Sequence, residues 1–111
     1  MDPRLRALKI KTGVVKRTGK EKLSYRTEAD EQKAKLEKMK ADGKDEHDVR
    51  KMDEVMQESL MMIPDCHRRL EKAYNELKAM MEAEKADFGE TEEFQEAEKI
   101  LQLAQQQLKA E

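Results

Sequence analysis

Few residues in this chain have the type and spacing to do chemistry. Cys66 and His67 are adjacent in MMIPDCHRRL (61–70), which suggests a thiolate–imidazole pair or two metal ligands. On a helix, however, neighbouring side chains point about 100° apart and cannot grip one ion or one proton together. Cys66 then reads as a small buried hydrophobe, and His47 and His67 lack partners at ligand spacing. TGVVKRTGKE (12–21) has the look of a phosphate-binding loop. Such a loop needs four residues between its glycines, then Lys and a hydroxyl, after a buried strand. Here five residues separate Gly13 from Gly19, and Glu21 stands where the hydroxyl belongs. With 25 Asp and Glu spread along the chain, no two stand out as an acid and a base. We therefore assign no catalytic, metal-binding or cofactor-binding residue, and the chain reads as a non-enzyme that needs no cofactor.

The elements around these residues are helices. Ala, Glu, Lys, Leu and Arg fill 61 of 111 positions, the mark of long helices or coiled coils. Leu, Ile, Val and Phe total only 19, so periodicity has to separate folding from disorder. Two breaks divide the chain. In ADGKDEHD (41–48) Gly43 can end a helix and Asp45 or Asp48 can cap the next. In ADFGETEE (86–93) Gly89 can end one and Thr91 can begin another. The predicted helices are residues 4–41, 47–86 and 91–109.

Each carries a seam at alternating spacings of three and four. The middle seam is Val49, Met52, Met56, Ser59, Ile63, Cys66, Leu70, Ala73, Leu77 and Met80. The last is Phe94, Ala97, Leu101, Ala104 and Leu108. The first runs through Leu5, Leu8, Thr12, Val15, Thr18, Lys22, Tyr25, Ala29, Gln32, Leu36 and Met39, with a polar middle. Pro64 interrupts neither the middle seam nor its phase. It falls on the outer face, where a kink toward the packed side is expected.

The expected fold is all-α: an antiparallel three-helix bundle with coiled-coil-like packing, one domain over residues 1–111, the third helix shorter and the second kinked at Pro64. A third helix of about 28 Å, beside two of roughly 57–60 Å, would cover Cys66 to Met80 and the start of the first helix. The remaining hairpin would leave Met52, Val55, Met56, Leu60, Met61 and Met62 as an apolar, Met-rich patch. Such patches mark partner surfaces. A second copy of the chain, making a homodimer, is the alternative cover.

Charge is uneven. Residues 1–22 carry a net +6 and the remainder −8. A basic arm of this density suits nucleic acid, anionic lipid or an acidic protein. It lacks aromatics for base stacking and large apolar residues for a membrane face, so no nucleic acid and no membrane are expected. An acidic protein fits best, against the plainer alternative of a solvated face. A single Cys and no apolar run of membrane-spanning length suggest a soluble chain in a reducing, cytoplasmic compartment.

DPRLRALKIKTGVVKR (2–17) and ESLMMIPDCHRRLEKAY (58–74) resemble the tubulin-binding cofactor A family, also called tubulin-specific chaperone A. The likeness spans essentially the whole chain, and the proline-bearing run MMIPDC is its most specific part. The resemblance implies a chaperone that binds β-tubulin after chaperonin-assisted folding and passes it toward heterodimer assembly, alongside other tubulin-folding cofactors and near the cytoskeleton. Two departures from the family pattern stand out: Thr18-Gly19 where an apolar pair is expected and Leu60 where an arginine is expected. The expected partner-binding set is Val55, Leu60, Met61, Met62, Pro64 and Arg68. A generic coiled-coil scaffold is the alternative function.

Overall fold

The computed structural model describes residues 1–110 and contains three helices: α1 (Pro3–Ala41), α2 (Glu46–Phe88) and α3 (Glu92–Lys109). Local chemistry sets each boundary. Asp2 opens α1, its Oδ1 accepting from Arg4 N at 2.9 Å, with Pro3 at the first helical position where a missing N–H costs nothing. Gly43 closes α1 at φ 70°, while Lys44 N donates to Met39 O at 3.0 Å and Gly43 N to Lys40 O at 3.2 Å. This pair of bonds is a Schellman motif, which uses up the last orphan carbonyls.

Of the two aspartates proposed as the cap of α2, Asp45 takes the role. Its Oδ1 accepts from His47 N, and its carbonyl from Val49 N. Asp48 lies inside the first turn with Glu46, where negative charge suits the helix dipole. At the other end α2 runs two residues past expectation, to Phe88. A Cβ on Gly89 would sit 2.5 Å from the Lys85 carbonyl, so only glycine lets Gly89 N donate there at 2.9 Å. Thr91 serves both neighbouring helices: its hydroxyl donates to Phe88 O at 2.7 Å and accepts from Phe94 N at 3.2 Å.

By contacts the chain forms two compact units. One is Met1–Lys20 with the chain from His67 onward; the other is Glu21–Cys66. In the first, all three helices build one core. Leu8 and Val15 of α1, Leu70, Ala73, Leu77 and Met81 of α2, and Phe94, Ala97, Ile100 and Ala104 of α3 are its buried members. The helices α1 and α2 are antiparallel here, since Arg4 reaches Glu84 and Asp87 while the later Lys11 reaches the earlier Glu76. Arg4 also lies 4.8 Å from the Phe88 ring centroid.

Two seam positions shift. Met81, not Met80, is buried, because a straight helix drifts from a strict seven-residue repeat and turns the later residue inward. Ile100 is buried where Leu101 was expected. A helix seated against two others buries a wider stripe, and Leu101 stays half-buried at its edge. The polar middle of α1 is helical throughout. Thr12 and Thr18 satisfy their buried hydroxyls by donating to Leu8 O and Val14 O, each at 2.8 Å. Gly19 admits the Gln107 side chain of α3, whose Cδ would lie 2.9 Å from an added Cβ.

α2 is continuous through Pro64, which lies exposed on the outer face. The carbonyl freed by its missing donor therefore faces away from the core.

Two measurements test these assignments. Space around Gly43 is open, so Gly43→Ala meets only the penalty of a left-handed backbone. Urea unfolding should show a loss of about 1 kcal/mol, smaller for Gly43→Asn. The second concerns Lys11, whose Nζ donates to Glu76 Oε2 at 2.5 Å. That hydrogen bond, and then the charge of Lys11, holds the Glu76 carboxyl below its ordinary range. A depressed folded-state pKa adds stability above the ordinary range that is lost as pH falls through it. Acidification from about pH 6 to pH 3 should therefore destabilise the wild type more than Lys11→Gln. Equal pH slopes would remove Glu76 from the account of acid sensitivity.

Candidate functional site

The unit Glu21–Cys66 has only two helical walls, the end of α1 and the start of α2, joined through the Gly43 turn. Its buried residues are few: Lys22, Ala29, Leu36, Ser59, Ile63 and Cys66. Ala29 and Ser59 are small, so the seam there is narrow and larger residues beside it stay partly open. Lys22 is buried among them and has polar or electrostatic partners within the protein.

Beside this seam runs an open groove of about 510 Å³. Tyr25, Glu28 and Gln32 of α1 form one wall, at spacings of three and four. Val55, Glu58, Ser59, Met61 and Met62 of α2 form the other. Met61 is 73 % exposed and Val55 43 %. Gln32 adds an unusual feature: its buried Oε1 has no hydrogen-bond donor among the described residues. A buried acceptor without a partner is costly, which makes this oxygen a ready contact for any donor entering the groove.

The structure brings together three of the six residues singled out in the sequence, namely Val55, Met61 and Met62. Leu60 is half-buried and lies outside the groove lining; Pro64 is exposed and also outside it. Arg68 is exposed and belongs to the other unit. The expected bare patch is narrower than six residues, because Met52, Met56, Leu60 and Met62 are each half-buried. Even two helices shield the side chains flanking their seam.

The α1 wall of Tyr25, Glu28 and Gln32 is not among the residues expected from sequence. Its signal was present: counted back from the turn at Gly43, Gln32 falls about opposite Val55 and Tyr25 opposite Met62. Seam membership hides them, since in sequence Tyr25 and Gln32 read as packing residues.

Nothing in the groove has the makings of covalent chemistry. Cys66 is buried, and His67 Nε2 lies 4.0 Å from Glu71 Oε2. Among the described residues no group of three or more His, Cys, Asp or Glu could hold a metal, and no helix is long and apolar enough to cross a membrane. What the arrangement can do is bind: it offers adaptable thioethers, an aromatic ring, two rim carboxylates and one orphan acceptor. A direct check is Gln32→Met. Removing the unpaired acceptor should raise stability by about 1 kcal/mol in urea unfolding; no gain would mean that the oxygen is already satisfied in solution.

With this geometry in hand, comparison with known proteins is specific. A family model described as tubulin binding cofactor A matches residues 3–101. Tubulin-specific chaperone A of Gallus gallus is 54 % identical over 101 residues, covering 91 % of this chain and 93 % of that protein. The solved structure of human tubulin chaperone cofactor A superposes with a TM-score of 0.80 at 50 % identity, covering 93 % of this chain and 99 % of that one. For the crystal structure of tubulin folding cofactor A from Arabidopsis thaliana the TM-score is 0.86 at 38 % identity, covering 96 % and 99 %.

Proposed function

The chain belongs to the tubulin-binding cofactor A family, and from that membership we propose that it captures β-tubulin after chaperonin-assisted folding, holds it, and passes it toward α/β-heterodimer assembly. It is a tubulin chaperone of the folding-cofactor type. The finer reading supposes β-tubulin as client, a cytoplasmic site of action, delivery to other folding cofactors, and no catalysis.

The observation that carries this reading is the groove of Tyr25, Gln32, Val55, Met61 and Met62 on the two-helix unit. A holding chaperone needs an adaptable apolar surface on a stable frame and has no use for a reacting centre. Methionine suits such a surface, having three rotatable bonds and a polarizable sulfur. Pro64, exposed on the outer face beside buried Ile63, bends the α2 wall in this reading and shapes what the client meets.

Pure chain mixed with newly folded β-tubulin should give a stable one-to-one complex on size-exclusion chromatography, and none with α-tubulin. The variant Met61→Ser/Met62→Ser should weaken capture by on the order of tenfold, the equivalent of about 1.4 kcal/mol. Because Met61 is exposed and Met62 only half-buried, its helicity and melting should stay close to those of the wild type. Undiminished capture by this variant would move the client surface elsewhere. Tight self-association with indifference to tubulin would instead favour a coiled-coil scaffold.

A further inference from the structure

The start of α1 holds an arrangement that neither the core nor the groove explains. Residues 3–20 contain seven Lys or Arg and no Asp or Glu, and the first turn of α1 has no acidic residue. Cations at a helix N-terminus oppose the macrodipole, so helix formation gives no reason for them. Arg4 and Lys11 are accounted for by their bonds to Asp87, Glu84 and Glu76. Arg6, Lys9, Lys16, Arg17 and Lys20 make no ion pair among the described residues.

These five are not scattered. Arg6, Ile10, Gly13 and Arg17 follow one another at spacings of four, three and four, which makes a single row along the helix. Lys9, Gly13, Lys16 and Lys20 form the neighbouring row and share Gly13 with it. Met1, Arg6, Lys9, Ile10, Gly13 and Arg17 together line a shallow depression of about 460 Å³. Gly13 creates its floor: a Cβ there would lie 3.3 Å from Nη1 of Arg17, whose guanidinium rests over the missing side chain. Ile10, 61 % exposed, adds one apolar contact beside the cations.

We propose that this face of α1 is a docking site for an acidic, extended peptide segment of a protein partner. From Arg6 to Lys20 the rows run about 21 Å, the reach of roughly six extended residues. Complementary charge sets the occupant, and the planar guanidinia of Arg6 and Arg17 can each take a carboxylate through two parallel hydrogen bonds. Nucleic acid fits less well, since the site offers no ring for a base to stack on. A lipid surface fits less well too, since Met1 and Ile10 are the only large exposed apolar residues on the face. Lys9 also borders Glu92, Glu93 and Glu96 of α3, which confines the positive surface to the Arg6–Arg17 side. The site stands apart from the tubulin reading, because its residues belong to the other unit.

The test is a titration of the full chain with a fluorescent ten-residue peptide rich in Glu, with a scrambled-charge peptide of equal length beside it. Binding of the acidic peptide should fall tenfold or more in Arg6→Gln/Lys9→Gln/Arg17→Gln. It should change less than twofold in Lys33→Gln/Lys35→Gln/Lys38→Gln, which removes the same charge elsewhere on α1. Gly13→Ala, which alters no charge and asks the flexible Arg17 guanidinium to move only slightly, should change binding less than twofold. Circular dichroism on each variant should show unchanged helicity, since every substituted side chain but Gly13 is exposed. Equal losses in both triple variants, no binding by the wild type, or tighter binding of single-stranded oligonucleotide or anionic phosphatidylserine vesicles would overturn the proposal.

Discussion

The apolar contact among three helices in the unit built by Met1–Lys20 and the chain from His67 carries most of what holds this molecule together. Leu8, Val15, Leu70 and Leu77 are fully buried there, and α3 adds Phe94 and Ile100. Six of the chain's 19 Leu, Ile, Val and Phe residues are thus buried in one cluster. Ala73, Ala97 and Ala104 occupy the positions between, where a small side chain lets backbones approach. Removing those side chains from water supplies the driving force that a 43 % charged sequence otherwise lacks. The two-helix unit cannot copy this arrangement. Two helices meet along one line, so a large side chain beside that line keeps one flank in solvent. Met52, Met56, Leu60 and Met62 are all in that position.

The polar seam of α1 shows how so few apolar residues suffice. Thr12 and Thr18 are buried, yet each hydroxyl is satisfied within its own helix by the carbonyl four residues earlier. A buried group that carries its own partner asks nothing of the facing helix, so the seam can be polar without an unpaired donor. Gln32 is the contrast. Its amide oxygen can only accept, and it is buried without a donor among the described residues. One polar residue in the seam is thereby a structural element and another an open valence. The difference is the direction of the bond: a hydroxyl donates to a carbonyl of its own helix, whereas an amide oxygen needs a donor, and the helix N–H groups are already taken.

Much of the fold was legible because helix periodicity reports a face. Every predicted seam position of α1, from Leu5 to Met39, is buried or half-buried, and the caps at Gly43, Asp45 and Thr91 sit where turn chemistry placed them. Periodicity reports the direction of that face only to about one residue. The substitutions of Met81 for Met80 and Ile100 for Leu101 are both rotations of that size. The candidate site was legible by halves. Met61 announces itself as an apolar residue on an outward position, whereas Tyr25 and Gln32 look like ordinary seam residues. Their edges become a wall only because the buried residues beside them, Ala29 on the same helix and Ser59 on α2, are small. That is a property of two helices together, which neither stretch of sequence states alone.

The same half-burial bears on what a surface like this can do for a client. A methionine already half-buried has only part of its area left to give, so its contribution falls below the 1.5–3 kcal/mol of a side chain taken fully out of water. Capture through the groove, as proposed, must then be assembled from several modest contacts rather than one deep anchor. Such an interface dissociates when any competing surface covers part of it, because no single contact holds the rest in place. A deep pocket with one dominant residue would hold more tightly and release more slowly. The scarcity of large apolar residues in the two-helix unit therefore limits affinity, and under the proposed hand-off of the client that limit is an advantage.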